Sequence, residues 1–263
     1  MDKIDEFRNI DVETAHGNMR VMVAGSRTKD DFDIVLVHGL IVSSSFMEPT
    51  GKLLAGNHRV FVPDLLGHGK SDTPEKPLSV KKYAKELAFV LKQLKVRRPL
   101  IVGGSYGCHV AVELSHLMDV KGLVFVGPTP GGEVHEGIAA LTKDAFFEPP
   151  QLVFNVLAEV VRIGPARVIE LLKDMRSYPF HQRLRKIKAP TMVITGEHDP
   201  FFDPSFMDDT AKSLHSSQSL CIPDVAHGLP FSQPELISDF VEQFIERLAE
   251  EHDKPGEAPK RVA

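Results

Sequence analysis

The chain has 263 residues and a formal net charge of -5, and 42% of its residues are hydrophobic. A single α/β domain of about 250 residues accommodates that length, and the composition is that of an ordinary globular protein. Its two cysteines are too few for a disulfide framework, and nothing has the paired spacing of zinc ligands. The slightly acidic charge argues against a nucleic acid or an anionic membrane as a partner.

The sequence has neither the pattern of a signal peptide nor that of a membrane span. The opening residues, MDKIDEFRNI, are charged and no apolar run follows them, which differs from a signal peptide. No stretch approaches the ~20 apolar residues of a membrane span. We therefore expect a cytoplasmic location. A monomer and a homodimer both stay open, because nothing marks a dimer face.

Short apolar runs alternate with longer amphipathic segments along most of the chain. Runs of strand length that are apolar throughout are typical of a parallel sheet covered on both faces. Between two of them, Val80–Leu94 has apolar side chains at helical spacing. The alternation predicts an α/β fold with a mostly parallel central sheet and helices on both faces. The runs are Asp33–Val37, Val60–Pro63, Leu100–Val102, Leu123–Val126, Thr191–Thr195 and Ser219–Ile222.

Two segments depart from this alternation. Phe7–Gly25 predicts an antiparallel hairpin, because a His-Gly-Asn turn separates two β-like runs. Residues 128–188 have helical patterns over Pro150–Ile163 and Ala166–Met175 but no clear strand, and they are too many for an ordinary connection. We interpret them as a helical lid inserted over the active site, since loops at the carboxyl ends of strands hold ligand sites. Peripheral helices packed on the sheet are the alternative.

The predicted domain organisation follows from these segments. Residues 1–127 and 189–249 form the α/β core, and residues 128–188 form the lid. The last residues, 250–263, are charged and contain proline, so we expect a flexible tail.

The sharpest local motif is Gly103-Gly104-Ser105-Tyr106-Gly107, which follows one apolar run and precedes a helix predicted over Cys108–Met118. In such a G-x-S-x-G turn the glycines let the backbones approach closely, and the serine hydroxyl projects at a helix N-terminus. A serine hydroxyl is a poor nucleophile at neutral pH, so it needs a base, and the base needs an orienting acid. Ser105 is the predicted nucleophile.

Candidates for the acid and the base lie later in the chain. Asp199 and His227 each follow an apolar run, so both should project from the same sheet edge as Ser105. The order Ser, Asp, His is that of a hydrolase site on a nucleophile elbow. Glu197 and Asp203 stay open as alternative acids.

A fourth segment, His38-Gly39-Leu40, directly follows the first apolar run. Its loop can aim the Leu40 N–H at a developing oxyanion, and the Tyr106 N–H supplies a second donor. Each such donor contributes about 3 kcal/mol in the transition state. Side chains that we predict to contact substrate are those of His38, Phe146, Phe147, Phe154 and Tyr178.

These landmarks together resemble the α/β-hydrolase superfamily, and the resemblance extends to about Ala249. Two features distinguish this sequence from particular branches of the superfamily. Leu40 stands where lipases of the hormone-sensitive type have a glycine-rich run, and Ser105 stands where epoxide hydrolases and haloalkane dehalogenases have an aspartate. The segments that carry the resemblance are His38-Gly39, Pro63–Asp72, the turn around Ser105, Gly196-Glu197-His198-Asp199-Pro200 and Ala226-His227-Gly228.

The resemblance implies a serine hydrolase that cleaves a small, mostly apolar carboxylic ester or lactone through an acyl-enzyme intermediate. It implies a small-molecule substrate and neither a cofactor nor a metal. Two alternatives stay open. One is hydrolysis of a carbon–carbon bond of the meta-cleavage type, in which Arg162, Arg167 and Arg176 would hold an acidic substrate. The other is a small-molecule receptor with vestigial turnover.

Overall fold

The computed structural model describes residues 6–26, 33–129, 148–201, 203–214 and 217–253. Eight strands of this part form one sheet. The strands are β1 (Arg8–Thr14), β2 (Gly17–Ala24), β3 (Asp33–Val37), β4 (Arg59–Pro63), β5 (Leu100–Gly104), β6 (Gly122–Val126), β7 (Thr191–Gly196) and β8 (Ser217–Ile222).

The strand order in the sheet is β1-β2-β4-β3-β5-β6-β7-β8. The predicted hairpin is present, and β1 and β2 pair antiparallel from Arg8 opposite Val23 to Thr14 opposite Gly17. Strand β2 is also antiparallel to β4, whereas β4, β3, β5, β6, β7 and β8 run parallel. The predicted α/β fold with a mostly parallel sheet is confirmed. All carboxyl ends of the parallel strands therefore meet at one edge.

Helices cover both faces of the sheet. Alternate residues of a strand point to opposite faces, so Val35 and Val37 pack with α2 and α3 while Ile34 and Leu36 pack with α1 and α9. The helices of the described residues are α1 (Ser44–Leu54), α2 (Val80–Gln93), α3 (Tyr106–Leu117), α4 (Pro150–Ile163), α5 (Pro165–Ser177), α6 (Phe180–Leu184), α7 (Pro204–Ser213), α8 (Leu229–Ser232) and α9 (Pro234–Asp253).

Helix α4 crosses the carboxyl edge of the sheet. Leu152 near its start packs with the apolar cluster on one face, and Ile163 at its end packs with the cluster on the other. Leu152 also lies against Gly228. At the opposite end of the helix, the Arg162 guanidinium donates to the Gly67 carbonyl at 2.8 Å. This course is compatible with a lid, although residues 130–147 lie outside the described part and the division into core, lid and tail stays a prediction.

The beginning of the predicted C-terminal tail lies within a helix. Helix α9 continues through Asp253, so the backbone is still helical where residues 250–263 were expected to begin a flexible tail. Apolar residues at helical spacing hold this helix on the sheet, among them Ile237, Val241 and Phe244. Residues 254–263 lie outside the described residues.

Close backbone packing at the turn after β5 explains why position 107 of the serine motif is a glycine. A methyl group added to Gly107 would overlap the carbonyl oxygen of Val37 at the end of β3. We expect Gly107→Ala to lower the free energy of unfolding by about 3 kcal/mol or more, because two backbones would have to separate. Urea denaturation measures this loss of stability. Gly56→Ala is the control, because a methyl group on Gly56 would lie 3.3 Å from its nearest neighbour, the Leu53 oxygen. Equal stability of the two variants would contradict this packing.

The lowered pKa values of two buried histidines, His68 and His109, predict how the free energy of unfolding depends on pH. Burial lowers the pKa of His68 and of His109 to about 3, from an ordinary value of 6.5. The unfolded chain protonates each one near pH 6.5 while the folded chain keeps it neutral. Each therefore leaves stability unchanged above pH 6.5 and lowers it by about 1.4 kcal/mol per pH unit as the pH falls from there toward 3.

Replacement of one of these histidines should make the free energy of unfolding less dependent on pH. His109 packs among the rings of Tyr106, Tyr178 and Phe180, so leucine is a compatible replacement. We expect His109→Leu to reduce the slope of unfolding free energy against pH by about 1.4 kcal/mol per unit between about pH 6 and 4.5. Denaturation of both proteins at several pH values measures it. Parallel curves would mean that His109 does not stay neutral in the folded chain.

Candidate active site

Ser105 lies at the sharp turn between β5 and α3. Its backbone has φ 52° and ψ -119°, a region that side chains other than glycine rarely occupy. Hydrogen bonds hold the turn, since the Ser105 N–H donates to the Val126 carbonyl at 2.8 Å and the Cys108 N–H donates to the Ser105 carbonyl at 2.9 Å. The predicted strand–turn–helix context is observed, but α3 begins at Tyr106, two residues earlier than expected. The Tyr106 N–H thus belongs to the first turn, whose N–H groups have no partner within the helix.

Asp199 and His227 meet at the carboxyl ends of β7 and β8. The carboxylate oxygen Oδ2 of Asp199 lies 2.7 Å from Nδ1 of His227. Since a carboxylate only accepts, Nδ1 holds the proton and, in the neutral ring, Nε2 has the lone pair. The other carboxylate oxygen accepts the Phe201 N–H at 2.8 Å. Both side chains are largely buried, with 2% of Asp199 and 10% of His227 exposed, so the pair is shielded from water.

Gly127 connects this pair to the serine turn. A Cβ atom built on Gly127 would lie 3.0 Å from Nδ1 of His227 and 3.2 Å from Oδ2 of Asp199. The preceding residue, Val126, is the one whose carbonyl accepts the Ser105 N–H. The structure therefore brings Ser105, Asp199 and His227 to one edge of the sheet, as the strand ends predict.

The alternative acids are engaged elsewhere. Asp203 is the N-cap of α7, where its side chain accepts the N–H groups of Ser205 and Phe206. A carboxylate oxygen of Glu197 accepts the Asp224 N–H at 3.3 Å. Of these three carboxylates, Asp199 is the one that the described contacts place in a hydrogen bond with His227.

His38 supports the loop after β3. Its Nδ1 donates to the Gly39 carbonyl at 2.7 Å, and its Nε2 accepts the Leu65 N–H at 2.9 Å. The peptide is trans, so the Leu40 N–H points away from the Gly39 carbonyl that His38 holds. A Cβ built on Gly39 would lie 3.3 Å from Cβ of Ser105, which places this loop against the serine.

This geometry corrects the prediction that His38 contacts substrate. The ring is fully buried, both of its nitrogens are used within the protein, and burial lowers its pKa. It therefore acts on the loop backbone, and neither ring nitrogen is left for a ligand.

Two further predicted substrate contacts are also not supported. Phe154 lies on the outer face of α4 and is 70% exposed. The Tyr178 hydroxyl donates to Glu113 on α3 at 2.8 Å, and the Arg183 guanidinium binds the same carboxylate at 2.7 and 2.8 Å. Tyr178 is thus part of the packing between α3 and the segment before α6. Phe146 and Phe147 lie outside the described residues.

Two carboxylates to which the sequence analysis assigned no role shape the site from a distance, although Asp64 lies in the Pro63–Asp72 segment that carries the family resemblance. The Glu148 carboxylate accepts the N–H of Gly228, the residue next to His227. Asp64 accepts the Ser44 N–H at 2.7 Å and the Lys70 N–H at 2.8 Å, which fixes the loop after β4 beside α1. A lone carboxylate whose partner is 20 or 80 residues away has no local signal.

One group of metal-ligand type occurs among the described residues. A ligand atom from each of Glu197, His198 and Asp224 lies within 4.8 Å of the other two. All three side chains are exposed, on the outside of the loops that hold the acid and the base. Ordinary exposed carboxylates form such groups without a metal, and no catalytic role follows from it.

The fold is an α/β scaffold with a strained serine at the turn between β5 and α3. A family model described as "Alpha/beta hydrolase family" matches residues 34–240. The chain belongs to the alpha/beta hydrolase family, and the resemblance drawn from the motifs is confirmed. Within the described residues, no helix has the length and apolar character needed to cross a membrane.

Relatives and solved structures fit this assignment. An uncharacterized protein of Mycobacterium tuberculosis is 38% identical over 104 residues, 39% of this chain but only 29% of that protein. Human monoacylglycerol lipase ABHD6 is 26% identical over 252 residues, 79% of this chain and 74% of the lipase. The structure of N-acyl homoserine lactonase AidH with N-hexanoyl homoserine has a TM-score of 0.75 and 20% identity, and the match covers 97% of this chain and all of that one.

Proposed function

We propose that this protein is a serine hydrolase that cleaves a small, mostly apolar carboxylic ester or lactone through an acyl-enzyme intermediate. The observation that carries the proposal is the 2.7 Å contact between Asp199 and His227 at the same sheet edge as the strained Ser105 turn. A strained nucleophile, a base and an acid that orients the base are the parts that acyl transfer requires.

The reaction begins with attack of Ser105 Oγ on the substrate carbonyl. His227 Nε2 takes the serine proton and later delivers it to the leaving alcohol. Asp199 holds the imidazole with Nδ1 protonated and stabilises the imidazolium that forms. Water, activated by the same histidine, then attacks the acyl-enzyme and releases the acid. The scheme needs neither a metal nor a cofactor.

The tetrahedral intermediate carries negative charge on the former carbonyl oxygen. The N–H groups of Leu40 and Tyr106 stabilise it, the first from the loop that His38 holds and the second from the start of α3. Because these donors are fixed before the reaction, little reorganisation is needed when the charge develops. Loss of one such donor lowers kcat about 10²- to 10³-fold in enzymes of this type.

An apolar acyl group suits the surroundings of the serine. Ile41 and Val42 follow Leu40 of the oxyanion loop, and Phe46 lies 3.2 Å from the position of a Cβ on Gly104. The names of two similar proteins, a monoacylglycerol lipase and an N-acyl homoserine lactonase, also support a carboxylic ester or lactone bond.

The carbon–carbon hydrolase alternative has less support. It needs basic side chains that hold the carboxylates of the substrate, but Arg162 binds Gly67 and Glu159, and Arg167 donates to the Pro74 carbonyl at 2.8 Å. Those two guanidiniums hold the helical segment to the loop after β4. A receptor with vestigial turnover is distinguished by rate, since an enzyme should hydrolyse good esters at about 1 per second or faster.

The proposal is tested with p-nitrophenyl esters from acetate to laurate and with a fluorophosphonate probe whose attachment site is mapped by mass spectrometry. We expect hydrolysis of the shorter esters and labelling at Ser105, and the chain-length optimum will give the size of the acyl site. Labelling without ester turnover would favour another bond, carbon–carbon cleavage first. Neither labelling nor turnover would overturn the hydrolase and leave the receptor.

A further inference from the structure

A second buried histidine, His68, lies beside the oxyanion loop. It belongs to the loop between β4 and α2, and its side chain is fully buried. Its backbone is held on both sides, since its N–H donates to the Leu65 carbonyl at 2.8 Å and its own carbonyl accepts the Ser71 N–H at 3.1 Å. The ring edge lies against Tyr83, with the ring centroids 6.2 Å apart. The position of the imidazole is therefore set by packing and does not depend on a ligand.

The imidazole of His68 makes a hydrogen bond from Nε2 to the Leu40 carbonyl. A carbonyl only accepts, so Nε2 must hold the proton. The other nitrogen, Nδ1, lies 3.4 Å from the Leu66 carbonyl, beyond a good hydrogen bond. The neutral Nε2–H tautomer thus satisfies the contacts, and burial favours the neutral form by lowering the pKa to about 3.

Two histidines consequently hold the two carbonyls that flank the Leu40 N–H. His38 holds the Gly39 carbonyl from one side, and His68 holds the Leu40 carbonyl from the other. Their ring centroids are 5.2 Å apart, so they pack as one unit. With both neighbouring carbonyls held, the φ and ψ angles of Leu40 have little freedom.

We propose that His68 is a positioning residue of the oxyanion hole: its Nε2–H holds the Leu40 carbonyl and thereby directs the Leu40 N–H at the substrate oxygen. The proposal rests on the proposed hydrolase function. It adds a residue to the proposed triad and the two oxyanion donors. His68, in the loop after β4, is needed to orient the Leu40 N–H, in the loop after β3.

Loss of this bond should affect the chemical step more than binding. The buried Leu40 carbonyl would lack its donor, and an unsatisfied buried carbonyl drives the peptide to rotate toward another partner. The Leu40 carbonyl belongs to the peptide that follows Leu40, and the ψ and φ angles of Leu40 connect that peptide to the one with the Leu40 N–H. Its rotation therefore displaces the Leu40 N–H from its aim. Because the oxyanion forms only in the transition state, the loss appears in kcat and leaves KM nearly unchanged.

A pair of variants separates the donor from the bulk of the side chain. Glutamine has a terminal NH₂ at about the reach of Nε2, whereas methionine has similar length and no donor. With the best p-nitrophenyl ester, we expect His68→Met to lower kcat about 10²-fold at nearly constant KM and His68→Gln to recover at least about a tenth of the wild-type kcat. A boronic acid that forms a tetrahedral adduct with Ser105 should lose affinity for His68→Met by a similar factor.

The control is another buried histidine that is far from the oxyanion loop. His58 is 4% exposed and binds Glu242 at 2.8 Å near the start of β4. His58→Met should lower the melting temperature without changing kcat of the folded protein. Equal kcat losses in His68→Met and His68→Gln, or a rise in KM at constant kcat, would overturn the positioning role.

A measurement on the wild-type chain covers the case in which His68→Met does not fold. Nitrogen-15 spectra of the histidine rings should show His68 neutral, with Nε2 protonated, from about pH 5 to pH 8. A protonated Nδ1 with a bare Nε2, or titration in that range, would refute the proposal whatever the activity. If wild type hydrolyses no ester, the proposed function fails by itself, while the ring spectra still decide the contact between His68 and Leu40.

Discussion

Replacement of Ser105 with alanine is expected to lower kcat/KM for the best p-nitrophenyl ester at least about 10³-fold. The hydroxyl is the atom that forms the acyl-enzyme, and no other group at the turn replaces it. What activity persists should come from the oxyanion donors and from substrate binding, which alanine leaves in place. The turn itself should survive, because its hydrogen bonds from the Ser105 N–H and to the Ser105 carbonyl are backbone bonds.

The matched control is a serine on the same helix. Ser115 lies toward the end of α3, where its hydroxyl donates to the Val112 carbonyl at 2.8 Å. Ser115→Ala should keep activity within a factor of about two, since this half-buried hydroxyl binds its own helix and lies outside the site. Steady-state kinetics and fluorophosphonate labelling of both variants provide the measurement. Retained turnover in the Ser105 variant would show that catalysis does not pass through this hydroxyl.

Asp199→Asn is expected to lower kcat about 10⁴-fold with little change in overall structure. An asparagine amide is neutral, so it no longer stabilises the imidazolium of His227. If its NH₂ faces Nδ1, it also selects the tautomer in which Nε2 is protonated, and that nitrogen then cannot accept the serine proton. Both side chains are largely buried around the 2.7 Å contact, so bulk water compensates poorly for the lost charge.

Asp203→Asn is the control for this change. Asp203 is a nearby acid in the same loop region, but it caps α7, and the oxygen of asparagine can accept the same N–H groups. We therefore expect nearly full activity from Asp203→Asn at the pH of the wild-type optimum. Comparison of pH–rate profiles for the three proteins tests the assignment. A larger loss in the Asp203 variant than in the Asp199 variant would move the acid role to Asp203.

Several features of this site were accessible from local pattern. The G-x-S-x-G turn predicts the elbow because only glycines tolerate backbone contacts such as that of Gly107 with Val37. Asp199 and His227 could be predicted because each follows an apolar run, and parallel strands place their carboxyl ends together. Helix α2 was predicted from the spacing of its apolar residues, and it ends at Gln93, one residue before the predicted end.

Other features required the assembled fold. Nothing in the local sequence distinguishes Phe154, which is exposed, from an aromatic that lines a pocket, because both occur on amphipathic helices. Tyr178 finds its partner Glu113 65 residues away. The direction of a side chain on a surface helix depends on which neighbour covers it, and that neighbour is chosen by tertiary packing.

By itself, the sequence determined the fold class, the family and the three residues proposed for catalysis, since each depends on short-range sterics, on periodicity or on motif order. Only the tertiary structure decided how the site is held. It showed that His38 binds its own loop, that His68 reaches the Leu40 carbonyl 28 residues away and that Glu148 reaches Gly228 across 80 residues. Such hydrogen bonds form between segments that become neighbours only on folding, so no local pattern specifies their partners.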